Sequence, residues 1–292
     1  MKQKSSSARK SNSQLAAFWI QYRRNKLAMV GLVLLILLIL VAIFASVIVD
    51  YDTEVIEQHM AERLQDPSRE HWLGTDQYGR DLFARVIYGT RISLSVGTIT
   101  VIFALLMGTI LGATAGYFGG WVDNVIMRIM DVFLALPQTL LAVAVVAAFG
   151  IDIKNLVLAL SIAYTPWFAR IIRASVLTVG KSDFIEAAKC CGTSNFRIIW
   201  RHVLPNALGP IIVQATLQVG LAIIAIASMS FIGLGIIPPT PEWGSMLSES
   251  KEAMRYHMNL SLAPGMAILI TVLSINLVGD GLRDALDPRL KR

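Results

Sequence analysis

The sequence predicts an all-α membrane protein that crosses the bilayer six times. Of its 292 residues, 55% are hydrophobic and only 16% are charged, and the mean hydropathy is +0.60. A soluble domain carries roughly 25% charged residues, so this chain has too few polar groups to cover a water-exposed surface. The composition excludes a disordered protein, a nucleic-acid-binding tail protein and an ordinary cytosolic enzyme.

The first predicted span covers residues 27–49 and follows a basic segment, residues 1–26. It is 23 residues long and uncharged, enough to cross a hydrocarbon core of about 30 Å. A signal peptide is the alternative, but its apolar region would be shorter and would end at a small-residue cleavage site. Residues 1–49 hold seven Lys and Arg and no acidic residue, which predicts a retained helix with a cytoplasmic N-terminus.

An outer loop, residues 50–91, separates this helix from a five-helix core, residues 92–282. The five spans are predicted at 92–117, 132–149, 156–172, 207–237 and 262–282. Pro137 and Pro166 lie in the third and fourth spans, where either proline could kink its helix. An inner loop (173–206) and a tail (283–292) are rich in Lys and Arg, and a second outer loop is 238–261. This asymmetry agrees with the positive-inside rule and places both termini in the cytoplasm.

Two features of the spans bear on packing and transport. Gly108, Gly112 and Gly116 recur at every fourth position, which predicts a smooth helix face for close packing against another helix. Gln214, Thr216 and Gln218 form a polar stretch in the fifth span. They could line a translocation path or form hydrogen bonds between helices, and the sequence does not separate these alternatives.

No residue pattern predicts a catalytic or metal site in this chain. The only cysteines, Cys190 and Cys191, are adjacent and lack zinc-site spacing, and the histidines lie in separate loops. Residues 179–182 end like a phosphate-binding loop, but Ser175 stands where that motif needs glycine and no strand precedes it. We therefore expect no bound cofactor and no nucleotide hydrolysis by this chain alone.

The inner loop contains a pattern typical of a short helix outside the bilayer. Asp183 and Glu186 have capping-box spacing, and Gly192 fits the left-handed position that ends a helix. A second segment, 196–203, is expected to stop before Leu204-Pro205. Exposed alanines on such a helix suit insertion into a partner's groove, and an amphipathic helix resting on anionic lipid is the alternative.

These residues resemble the EAA loop of ABC-importer permeases. The match consists of Glu186-Ala187-Ala188, Gly192 and Leu204-Pro205. One departure is His202, which stands where that loop usually has isoleucine. Residues 71–94 and 231–244 are similar to outer segments of the dipeptide/oligopeptide/nickel permease family. Residues 23–28 and 280–289 resemble its C-type subunit, so the resemblance covers most of residues 20–292.

The resemblance implies the type I ABC-importer permease fold in the inner membrane of a prokaryote. It implies four partners besides membrane lipid: a homologous second permease, two ATPase subunits that use ATP and Mg, and an extracytoplasmic solute-binding protein. Nucleic acid is not an expected partner. By the same resemblance, Glu186, Ala187, Ala188, Gly192, Leu204 and Pro205 form the ATPase-coupling loop. Candidates for docking the binding protein are Asp76, Gly79, Arg80, Asp81 and Trp243.

Some alternatives remain open from the sequence. Residues 76–81 also resemble the loop motif of major-facilitator carriers, although a turn at Gly79 with Arg80 and Asp81 paired is the simpler interpretation. An ion-coupled carrier would need charged groups within its spans, and none lies clearly in the middle of one. Peptide is the cargo we expect from the family, whereas nickel or another small solute is equally compatible with the residues.

Overall fold

The computed structural model describes residue 16 and residues 18–286, and the regular secondary structure in that part of the chain is helical. The prediction of an all-α protein is therefore confirmed. In chain order the helices are α1 Lys26–Ile48, α2 Leu82–Phe118, α3 Gly120–Leu134, α4 Gln138–Phe149, α5 Ile153–Gly180, α6 Asp183–Cys190, α7 Asn195–Ile198, α8 Leu204–Phe231, α9 Trp243–Ser250 and α10 Asn259–Leu286. The predicted tail 283–292 lies partly outside the described residues, as does most of the basic segment 1–26.

Five helical segments in the described residues are long and apolar enough to cross a membrane: α1, α2, α5, α7 together with α8, and α10. A sixth crossing exists only if α3 and α4 form one bent span. These two helices meet at 87°, so the span predicted at 132–149 is bent at Pro137, where the sequence allowed a kink. Pro137 explains the break, because proline lacks the N–H of a helix interior and disfavours helical geometry in the residue before it.

The helix α2 is longer than its predicted span, 92–117. It begins after Asp81, whose carboxylate accepts a hydrogen bond from the Ala84 N–H at 2.8 Å and so caps the first turn. Its 37 residues measure roughly 55 Å, which exceeds the hydrocarbon thickness of about 30 Å. The first outer loop therefore ends at residue 81, and the helix extends beyond the bilayer.

The three predicted packing glycines lie on the face of α2 that contacts α5. A Cβ added at Gly108 would lie 2.5 Å from the Cβ of Phe168, and one at Gly112 would overlap the backbone of Ala169. Gly116 lies close to α5 in the same way. The two helices therefore approach more closely than any side chain at these positions would permit.

The main apolar core lies between α2, α5 and α8. Its fully buried members include Ala104 on α2, Phe168 and Ile172 on α5, and Ala222 and Ile226 on α8. By contrast, α1 lies at the edge of the bundle and packs on α2 and α10, with most of its side chains exposed.

Two boundaries of the fifth predicted span, 207–237, are corrected. We call the two ends of the bundle outer and inner after the orientation predicted from the sequence. The outer end of α8 is Phe231, after which the chain turns and leads into α9. At the inner end the helix does not stop before Leu204-Pro205, because a π-helical turn at Ile199–Val203 joins α7 directly to α8. The wider turn tolerates Pro205, since the Leu204 N–H already bonds five residues back, to Ile199.

Candidate functional site

The coupling loop predicted at 173–206 contains one short helix, α6, that projects from the inner end of the bundle. Its N-cap residue is Ser182 and no side chain caps it, so the predicted capping box of Asp183 and Glu186 is wrong. Both acids lie in the first turn of the helix, where their charge is favourable beside the positive end of the helix dipole.

The end of α6 is a Schellman motif built on Gly192. The Thr193 N–H bonds to the Ala188 carbonyl at 3.2 Å, and the Gly192 N–H bonds to the Lys189 carbonyl at 2.9 Å. Gly192 has a φ of 71°, in the left-handed region that glycine occupies without a steric cost. The motif reverses the chain sharply and fixes where α6 points.

One side chain fastens α6 to the bundle. Ile185 is fully buried in the core cluster that also contains Val176 of α5, Ile198 of α7 and Val203 of the π turn. A buried isoleucine contributes about 1.5–3 kcal/mol through removal of apolar surface from water. The helix is therefore attached to the core of the bundle by packing as well as through the chain.

The opposite face of α6 is open. Glu186 and Ala187 are exposed, as are Cys190, Cys191 and Gly192. The other predicted coupling residues do not belong to this open face. Ala188 is half-buried against the core, Leu204 is buried, and Pro205 is exposed but lies on α8. The surface that a partner can touch is thus centred on Glu186, Ala187 and the Gly192 turn.

At the opposite end of the bundle, four charged side chains form what we call the outer ion-pair cluster: Asp76, Arg80, Arg85 and Glu249. Arg80 Nε lies 2.6 Å from Asp76 Oδ2, and Arg80 Nη2 lies 2.9 Å from Glu249 Oε1. Arg85 Nη2 lies 3.1 Å from Glu249 Oε2, and Arg85 Nη1 donates to the Val55 carbonyl at 2.9 Å. Two arginines and two acids give the cluster no net charge, so each buried charge has an opposite charge beside it.

This geometry corrects the predicted docking residues. The side chains of Arg80 and Trp243 are 1% and 0% exposed, and Asp76 is also buried, so they do not form a docking surface. Gly79 has a φ of 76° and packs on the backbone of His59, which confirms the predicted turn. Arg80 pairs with Asp76 and not with Asp81.

Two other predicted docking residues have structural roles: Trp243 is the first residue of α9, and Asp81 precedes the first residue of α2. The indole of Trp243 packs on Gly89 and donates its Nε1–H to the Val86 carbonyl at 3.2 Å. Asp81 caps α2 and its second oxygen lies 2.8 Å from His71 Nδ1. These contacts fasten the two outer loops to α2.

Glu242 is a buried acid beside this cluster that the sequence did not single out. Its Oε2 accepts a hydrogen bond from the Ser245 N–H at 2.9 Å, which caps α9. Burial raises the pKa of Glu242 above its ordinary value, and the hydrogen bonds it accepts from Ser245 and neighbouring groups act in the opposite direction. The effect of burial on this carboxyl group therefore exceeds that of its hydrogen bonds.

The structure does not bring the three predicted path residues together. Gln218 is buried, Gln214 is half-buried, and the Thr216 hydroxyl donates to the Ile212 carbonyl of its own helix at 2.9 Å. Thr216 also lines a lateral cavity of about 680 Å³ beside α1. Residues two apart on a helix do not face the same way, so the glutamines and Thr216 line different surfaces.

The described residues thus form a helical bundle with a buried ion-pair cluster at one end and a short projecting helix at the other. Residues 108–292 match the family model described as "Binding-protein-dependent transport system inner membrane component". Residues 13–67 match a second model, the N-terminal TM domain of oligopeptide transport permease C. The chain belongs to the binding-protein-dependent transport permeases, and it is a multi-pass inner membrane protein of their C type. The ABC-importer permease family and the C type predicted from the sequence are therefore confirmed.

Curated relatives extend this match over nearly the whole chain. The dipeptide transport system permease protein DppC of Alkalihalophilus pseudofirmus is 48% identical over 271 residues, which cover 93% of this chain and 88% of that protein. The glutathione transport system permease protein GsiD of Pectobacterium atrosepticum is 44% identical over 275 residues, covering 94% and 91%.

Among solved structures, an inward-facing MetNI methionine ABC transporter chain shares the fold. Its TM-score is 0.58 at 18% identity, over 70% of this chain and 98% of that one. At this identity the likeness concerns the fold alone, and it confirms the ABC-importer permease architecture predicted from the sequence.

Proposed function

We propose that this chain forms half of the translocation path of an ATP-driven importer of short peptides. The observation that carries the proposal is α6, a helix with an open face that is packed into the bundle through Ile185. The cargo follows from the relatives, which are named for transport of dipeptides and of glutathione, itself a peptide. Two relatives with different peptide cargoes favour a peptide over nickel.

We place the ATPase contact at Glu186, Ala187 and the Gly192 turn. Small side chains allow close approach of the helix to a groove, and the Glu186 carboxylate is available to an arginine or lysine of the partner. ATP and Mg are held by the two partner ATPases. When these close, α6 moves as a rigid lever, and its buried Ile185 transmits the displacement to α5 and α8.

The other partners occupy the remaining surfaces. A homologous second permease completes the path, with both termini of this chain in the cytoplasm as the basic segments require. A solute-binding protein docks on the outer loops, whose shape is maintained by the buried ion-pair cluster.

Uptake into proteoliposomes tests the transport proposal. The chain is reconstituted with its second permease, ATPases and binding protein, and a labelled dipeptide is offered outside with ATP inside. We expect uptake that needs both ATP and the binding protein. Uptake driven by a proton or sodium gradient without ATP would identify a secondary carrier instead, and uptake of nickel but not of peptide would refute the cargo.

The two cysteines provide a separate test of the ATPase contact. Cys190 and Cys191 are the chain's only cysteines, and both are exposed beside α6. A maleimide should label them in the permease pair and fail to label them once the ATPases are bound. As a control, a Tyr256→Cys variant in a cysteine-free background places the thiol on the outer side, and its labelling should not change. Unchanged labelling of Cys190 and Cys191 in the full complex would place the ATPase elsewhere.

A further inference from the structure

A second surface near α6 remains without an assigned partner. We call it the inner groove: an apolar cleft of about 330 Å³ between the inner half of α2 and the junction of α7 with α8. Its lining residues include Thr109, Ile110, Phe118, Phe196, Trp200 and Leu204. A hydrogen bond of 2.8 Å between Tyr117 Oη and Asn195 Oδ1 joins its two walls.

The position of the inner groove along α2 spans two zones of the bilayer. From Arg91 to Phe118 the helix measures roughly 40 Å, about the thickness of a bilayer with its headgroups. If Arg91 lies at one headgroup layer, Phe118 lies at the other. Thr109 is then roughly 13 Å deeper, among the acyl chains. The groove thus runs from headgroup level into the hydrocarbon.

The charges at the headgroup end are positive. Phe196 and Trp200 are 72% and 53% exposed, with ring centroids 6.0 Å apart. Each is followed directly by an exposed arginine, Arg197 and Arg201, which lie one helical turn apart. Neither arginine forms an ion pair with a carboxylate in residues 18–286. Exposed aromatic rings with adjacent arginines are typical of a surface that meets lipid headgroups.

We propose that the inner groove binds one anionic phospholipid. Its phosphate lies against Arg197 and Arg201, and an acyl chain occupies the cleft between Thr109 and Trp200. A phospholipid supplies both an acyl chain for the apolar cleft and a phosphate for the two exposed arginines, which favours it over a purely apolar occupant. The inference rests on the proposed function in one respect, the membrane orientation, which puts the inner groove in the cytoplasmic leaflet.

Native mass spectrometry of the importer complex tests the headgroup contact. The complex is released from nanodiscs that contain equal amounts of phosphatidylglycerol and phosphatidylcholine, and the retained lipid is identified. Each arginine beside the bound headgroup contributes about a fivefold preference for anionic lipid, so the Arg197→Gln, Arg201→Gln double variant should lose about 25-fold at this site. Arg128→Gln, an exposed arginine on α3, is the matched control and should retain the wild-type preference. Equal retention in the wild type and the double variant would overturn the proposal.

Fluorescence quenching tests the acyl-chain contact. In the full complex, phosphatidylglycerol with brominated acyl chains should quench wild-type fluorescence more than that of a Trp200→Phe variant. If the second permease covers the groove, the two proteins will be quenched equally in the complex, and the proposal is refuted. Both measurements are made without ATP or cargo, so failure of the transport proposal leaves their outcome unaffected.

Discussion

Replacing Gly192 with alanine isolates the turn that orients α6. A Cβ at this position meets no atom within 4 Å, so the substitution causes no collision. Its cost comes from the φ of 71°, because a left-handed conformation costs a residue with a Cβ about 1–2 kcal/mol. Gly180 provides the matched control, since a Cβ there also meets nothing within 4 Å and its φ is not left-handed. Alanine at Gly180, the last residue of α5, should be neutral or slightly stabilising.

Hydrogen exchange of the segment 183–195 measures this effect directly. The Schellman hydrogen bonds protect the Gly192 and Thr193 amides, and a penalty of about 1–2 kcal/mol should raise their exchange roughly 5- to 30-fold. Gly180→Ala should leave these amides unchanged. The ATPase affinity of Gly192→Ala should fall in parallel, because the docking helix is less often in its binding orientation. Unchanged protection in Gly192→Ala would show that the turn does not depend on the left-handed glycine.

Three further predictions concern the rest of the bundle. Glu249→Gln leaves buried Arg80 and Arg85 with a single carboxylate, that of Asp76, and should cost about 3–5 kcal/mol in unfolding free energy, measured by denaturation in detergent. The exposed Glu252→Gln is expected to be neutral. Gly112→Ala forces α2 away from the α5 backbone and should cost about 1–3 kcal/mol, whereas Gly209→Ala, which meets open space, should not. Because its pKa is raised, Glu242 binds a proton more tightly in the folded protein than in the unfolded chain. Its protonated form therefore contributes its full share of the free energy of unfolding at acidic pH, and this contribution is lost as the pH rises through the raised pKa. The melting temperature of the wild type relative to Glu242→Gln should therefore fall as the pH rises from acidic to neutral.

Local patterns in the sequence were sufficient for most of the fold. Long uncharged runs locate the spans, the spacing of Gly108 and Gly112 locates the contact of α2 with α5, and Gly192 locates the end of α6. Each of these signals is contained within a few helical turns. A boundary failed where a local rule was overridden, as at Pro205, which a π turn accommodates. At Pro137 the local rule held, because the proline breaks the span into two helices.

The buried outer cluster could not be found in the same way. Arg85 and Glu249 are 164 residues apart in the chain, and neither occurs in a pattern that distinguishes it from an exposed charge. The position of Asp76 and Arg80 in an outer loop predicts that they contact a binding protein. The fold instead removes them from water and pairs them, a result that depends on long-range packing of α9 against α2.

The buried contacts connect the two ends of the molecule through a small number of rigid joints. At the inner end, Ile185 packs α6 into the core cluster that α5 and α8 share. Along the membrane, the glycine face of α2 leaves no free space against α5. At the outer end, Glu249 joins α9 to Arg85 on that same α2. Because interfaces without free volume shift as units rather than deform, a displacement of α6 is expected to reach the outer loops through α5 and α2. Loosening any one joint should therefore weaken the response of the outer loops to nucleotide even where the protein remains folded.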